Sequence, residues 1–165
     1  MRAEINRKLK ELLENPKVIL LGQSIRDPYG GAAKVTRGLS TKFPNQVIDM
    51  PISESAMIGT ALGLAYKGFI PIVEIMFFDF ITLCADQLFN IGGKLDKIHG
   101  VDFKVIIRTM QAPPEYGPTH SQDMRELLKA LDIAWITLGD STDIYDTAIL
   151  MKNKIVVIIE TKNLY

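Results

Sequence analysis

Apolar residues follow two rhythms along this chain. Over residues 4–14, Ile5, Leu9, Leu12 and Leu13 fall on one face at helical spacing, and Asn15-Pro16 ends the pattern. Residues 18–21 are instead an unbroken apolar run closed by Gly22, as expected of a strand buried on both faces of a parallel sheet. Similar short runs return at 46–50, 69–76, 103–108, 135–138 and 155–160. Helical stretches are predicted between them, at about 32–42, 54–67, 77–97, 119–131 and 141–152. Strands alternating with helices, without period-two patterning in the strands, predict an α/β fold: a mostly parallel six-stranded sheet with helices on both faces.

The junction at 49–59 has the most pointed local chemistry. Pro51 stops the strand, Ser53 is a good helix N-cap, and Glu54 then opens a helix. Its carboxylate could simply complement the helix dipole, but strand-to-helix junctions of α/β sheets are also where ligands are met. Gly59 and Gly63 lie four apart in the same helix. Each costs about 1 kcal/mol relative to alanine, so the pair predicts a closely approaching backbone, with tight packing between subunits as the expected source. Residues 110–118 contain Pro113-Pro114 and Gly117-Pro118, so a loop is predicted that delivers His120. Thr119 and Gln122 match a capping box that would set His120 at a helix start. Tyr29-Gly30-Gly31 reads as a turn, since neither G-x-G-x-x-G nor a P-loop pattern is present. Taken from the residues alone, a possible site gathers near Glu54, Phe80 and His120.

Composition narrows the setting. The chain has 165 residues, 47% hydrophobic and 23% charged, suited to one domain with a sizeable core. Lysine plus arginine equals aspartate plus glutamate, 19 each, with no basic stripe beyond Arg7, Lys8 and Lys10, so no footprint for nucleic acid or a membrane surface is expected. Cys84 is the single cysteine and lies in an apolar pattern, which excludes an internal disulfide, favours a buried thiol and fits a reducing, cytoplasmic setting. The N-terminus is polar and no run of about 18 apolar residues occurs, so neither export nor a membrane span is expected. His99 and His120 are far apart without a cysteine cluster, and no metal site is expected in this chain itself.

Several motifs occur in a fixed order: Tyr29-Gly-Gly-Ala-Ala-Lys-Val-Thr-Arg-Gly-Leu39, Val47-Ile-Asp-Met-Pro-Ile-Ser-Glu54, Val73-Glu-Ile-Met-Phe-Phe-Asp-Phe80, Asp86-Gln87 and Thr119-His-Ser-Gln122. Together they resemble the pyrimidine-binding domain of thiamin-diphosphate-dependent, transketolase-like enzymes, above all the beta subunit of the 2-oxoacid dehydrogenase decarboxylase component. The resemblance spans residues 18–165 and implies one pyrimidine-binding domain over 1–165, with the usual C-terminal domain absent. It implies that Glu54 shares a proton with the cofactor's aminopyrimidine nitrogen, that Phe80 stacks on that ring and that the Ile52 backbone touches it. By the same resemblance His120 serves substrate or acyl-transfer steps. Thiamin diphosphate is the implied cofactor, with Mg2+ and the diphosphate held by an alpha-type partner chain, because no G-D-G followed by a downstream asparagine is present. A homodimer or heterotetramer acting on a small 2-oxoacid or ketose is the implied assembly, inactive without its partner. Gln23 stands where relatives carry an acidic residue, Leu83 where they carry a polar one, and Thr60 replaces an expected large apolar residue. These departures motivate an alternative reading, an inactive assembly module; a flavodoxin-like nucleotide binder is a third, without a phosphate fingerprint.

Overall fold

A computed structural model describes residues 1–139 and 141–161. Six strands, β1 (Val18–Gln23), β2 (Val47–Met50), β3 (Ile70–Phe77), β4 (Val105–Gln111), β5 (Ala134–Thr137) and β6 (Ile155–Thr161), form one sheet in the order β2-β1-β3-β4-β6-β5. Every pairing is parallel. The apolar runs explain this arrangement, because alternate residues of one strand enter opposite cores. Ile19, Leu21, Val73, Ile75, Ile107 and Val157 face one layer, while Leu20, Ile72, Ile106 and Ile158 face the other.

Helix α3 (Glu54–Tyr66) supplies much of the first layer through Met57, Ile58, Ala61 and Leu62, joined by residues from α4 (Leu95–His99) and α5 (Arg125–Ala130). Helices α1 (Arg2–Leu12), α2 (Leu39–Lys42) and α6 (Ile144–Leu150) cover the opposite face. The expected doubly covered parallel sheet is therefore present.

Three helical expectations are corrected. Residues 32–42 are mostly turns, with helix only at Leu39–Lys42, because Gly30, Gly31, Lys34 and Gly38 all have positive φ. The side-chain amide of Asn6 donates to the carbonyls of Val35 and Arg37, replacing helical partners. Residues 77–97 do not form one helix but a series: a 3-10 stretch at Phe78–Cys84, a π turn at Gln87–Ile91, a 3-10 turn at Gly92–Lys94, and α4. A Cβ on Gly92 would lie 2.6 Å from Ile155 Cδ1, so the chain there passes closer to β6 than an ordinary side chain permits. The third correction, at His120, concerns the candidate site.

Candidate active site

The chain goes from β1 to β2 on one side and to β3 on the other, so strand order reverses beside β1. Crevices at the carboxyl ends of strands bordering such a reversal are the usual ligand positions of open α/β sheets. Glu54, Phe80 and His120 all follow the carboxyl ends of their strands, β2, β3 and β4.

After β2 ends, Ile52 is left 76% exposed. Ser53 is extended and its side chain accepts the Ala56 N–H at 3.4 Å, so the predicted cap forms. Glu54 then takes the first helical position and is buried. Ser55 donates its hydroxyl to the Leu83 carbonyl at 2.5 Å, tying the start of α3 to the segment after β3. Beside Glu54, burial and the carboxylate's charge push the Cys84 thiol up to about 12. Cys84 is thus a neutral packing group rather than a nucleophile, as its apolar surroundings predict.

The strand leading to Phe80 carries a bulge. Ile75 pairs with Thr109 and Phe77 with Met110, leaving Met76 as the extra residue. Bulges redirect the chain beyond them, and here Phe77 and Phe80 emerge as an edge-to-face pair with centroids 5.8 Å apart. His120 sits edge-on to Phe77 at 4.7 Å and to Phe80 at 5.5 Å, with Tyr116 completing the aromatic group at 6.3 Å from Phe77. Phe80 and His120 are therefore brought together, as expected. The Cys84 Sγ contacts the Phe80 carbonyl at 3.8 Å, so a short run of chain connects this group to Glu54.

The predicted capping box is not formed. Thr119 Oγ1 lies 3.0 Å from His120 Nδ1, α5 begins only at Arg125, and His120 occupies a turn ahead of it. The partner that overrides the box is Asp79. Its Oδ1 accepts both the backbone N–H and the side-chain Nε2–H of Gln122, each at 3.1 Å. Asp79 is 5% exposed, and its Oδ2 has no hydrogen-bond partner among the described residues.

A buried ionic group runs from the middle of β3 and β4 to the end of β6, on the sheet face covered by α1 and α6. Arg108 forms ion pairs with Glu74 and with Glu160, the latter at 2.5 Å. The Arg108 Nε–H donates to Glu160 at 3.0 Å and to the Tyr145 hydroxyl at 3.2 Å, and Tyr145 donates to Glu160. Gly31 closes over the group: its φ is +77°, and a Cβ there would approach Glu74 Oε1 to 3.0 Å. Burial raises Glu74 above the usual carboxylate range despite Arg108.

Sequence reasoning used neither Asp79 nor this group. The latter had a visible signal, since Glu74, Arg108 and Glu160 each interrupt an apolar strand with a charge. Asp79 has no such mark, because its partner is distant in sequence. Beyond the helix itself, no atom of the described residues lies within 4 Å of a Cβ built on Gly59 or Gly63, so the close approach predicted for them is not made by the described residues. Three concavities lie away from Glu54, Phe80 and His120; the larger two, about 490 and 560 Å³, are at the opposite end of the sheet.

Comparison with known proteins places the chain. The family model described as transketolase, pyrimidine binding domain, matches residues 1–165. The beta subunit of acetoin:2,6-dichlorophenolindophenol oxidoreductase from Cupriavidus necator is 35% identical, covering 94% of this chain and 51% of that protein. The pyruvate dehydrogenase E1 component subunit beta of Leifsonia xyli is 38% identical over 70% of this chain and 35% of its own length. The chain thus spans about a third to a half of these relatives. A solved structure titled split gene transketolase, inactive beta4 tetramer, superposes with TM-score 0.69 at 22% identity, over 98% of this chain and 50% of that one, and shares its fold. With the Glu54 junction, the aromatic group and the sheet order all in place, this chain belongs to the transketolase pyrimidine-binding domain family.

Proposed function

We propose that this chain is the pyrimidine-binding half of a thiamin-diphosphate enzyme of the 2-oxoacid dehydrogenase or transketolase type, completed by an alpha-type chain that binds the diphosphate. The observation that carries this reading is a buried carboxylate, Glu54, at the first position of a helix beside a strand-order reversal, with an aromatic group projecting from the end of β3, across β1. The donor set fits the cofactor's aminopyrimidine. Glu54 would hold or share a proton at a ring nitrogen, Phe80 would pack on the ring, and the exposed Ile52 segment would offer its backbone. His120, held against Phe77 and Phe80, faces substrate or acyl-transfer steps. When bound, thiamin diphosphate supplies the carbanion chemistry, and Mg2+ with the diphosphate belongs to the partner chain. The substrate is a small 2-oxoacid or ketose, and the setting cytoplasmic. The open glycine face of α3 suits a homodimer or heterotetramer.

The test is calorimetry of thiamin diphosphate and Mg2+ with the chain mixed with a diphosphate-binding partner, alongside 2-oxoacid decarboxylation. Binding with turnover, abolished by Glu54→Gln, supports the enzyme. A stable complex that binds no cofactor supports the second reading, an assembly module. Gln23 at the end of β1 and Leu83, 56% exposed with its carbonyl held by Ser55, favour that second reading, because the resemblance implies an acidic and a polar residue at these positions.

A further inference from the structure

Asp79 ties the turn carrying His120 to the chain that follows β3. Between the end of β4 and the start of α5 the chain makes a 3-10 turn at Pro114–Tyr116 and then further turns, with local bonds such as the Ser121 hydroxyl to the Gly117 carbonyl at 2.8 Å. Local bonds shape a turn without fixing where it sits. Beside the ring contacts with Phe77 and the bond from Arg125 to Gln111, a polar connection comes from Asp79, on the 3-10 stretch that follows β3. It is bidentate in Gln122, binding backbone and side chain to one oxygen, so it fixes the direction of the chain two residues beyond His120. A buried carboxylate with one oxygen unpartnered among the described residues is a costly way to stabilise a fold, and what Asp79 does hold is Gln122.

We propose that Asp79 is a positioning residue: by gripping Gln122 it holds the His120 imidazole edge-on against Phe77 and Phe80. This rests on the reading of His120 as an active-site group, although the placement itself can be tested without turnover. Asp79 belongs to the same short segment as Phe80, so one bulged strand end places both the ring-stacking face and the imidazole. Movement of that strand end would carry them together.

Solution NMR of the free chain tests the placement, because the ring currents of Phe77 and Phe80 displace the His120 side-chain resonances, while His99 beside Tyr66 serves as an internal reference. In Asp79→Ala the His120 resonances should shift to those of an exposed imidazole, and Gln122 amide exchange should quicken about tenfold or more, the scale of hydrogen bonds to a charged acceptor. His99 should stay in place. Asp79→Asn retains an acceptor oxygen and should restore the His120 shifts. A sheet variant of comparable stability loss, Val157→Ala, should leave them unmoved. Should Asp79→Ala not fold, Gln122→Glu decides: it replaces the side-chain donor on an exposed residue with a like charge and should displace His120 in the same way. His120 resonances unchanged in Asp79→Ala, or in Gln122→Glu where that variant decides, overturn the proposal, as does displacement by Asp79→Asn equal to that of alanine. Full turnover of His120→Gln with a partner chain would instead reject the functional reading of the imidazole and leave the placement by Asp79 standing.

Discussion

Replacing Arg108 by methionine tests how the sheet tolerates its buried charges. Arg108 is 3% exposed, and the change removes its ion pairs with Glu74 and Glu160 together with the Nε–H donor to Glu160 and Tyr145. Methionine restores volume but not charge, so two buried carboxylates would face each other without their cation. Breaking a buried pair in this way costs about 3–5 kcal/mol, a large share of the roughly 5–15 kcal/mol that holds such a domain together. The loss should depend on pH in a defined direction. Burial already raises Glu74 in the intact chain, and without Arg108 both carboxyls hold protons to higher pH when folded than when unfolded. A carboxyl raised by folding binds more protons in the native state, so stability falls as pH rises through that window. The deficit of Arg108→Met relative to wild type should therefore be smaller near about pH 5 than near about pH 8. Adding Glu160→Gln should recover part of it by removing one uncompensated charge. Urea unfolding followed by circular dichroism measures all three quantities. A deficit below about 1 kcal/mol, or one identical at both pH values, refutes the reasoning.

Two further outcomes follow from the same physics. Cys84, fully buried and pushed up to about 12, should react with iodoacetamide in the native chain far more slowly than in urea; equal rates would contradict its placement beside Glu54. Asp27 is lowered to about 2 from 3.8 by the Gly38 N–H and by the Ser40 and Thr41 donors. Its contribution is complete above the unfolded value and is lost as pH falls through the folded one; about 1 kcal/mol is expected after discounting for solvent at this partly exposed loop. The gap in urea midpoint between wild type and Asp27→Asn should narrow on acidification from about pH 5 to about pH 2.5, and a constant gap would refute the assignment.

The sheet was readable because doubly buried parallel strands write themselves as apolar runs, and all six runs became strands. Glu54 was readable because Pro51 and the Ser53 cap act within a few residues. His120 was located only in part. Its loop followed from the prolines, but the capping box at Thr119 and Gln122 lost to a carboxylate 43 residues away. Local motifs cannot register such a competitor. The apolar periodicity of 77–97 similarly described which residues are buried, but it does not register close packing such as that of Gly92 against the Ile155 side chain.

The segment from Phe78 to His99 changes helical type several times, whereas α3 runs unbroken for 13 residues. Each change of hydrogen-bond register interrupts the ladder that lets a helix open only as a unit. The two walls of the candidate site thus differ in cooperativity: the carboxylate stands on a stiff post, while Phe80 and Asp79 stand on a jointed one. Induced fit on binding a ring or a second chain would be taken up by the jointed wall, at low local free energy, without disturbing Glu54.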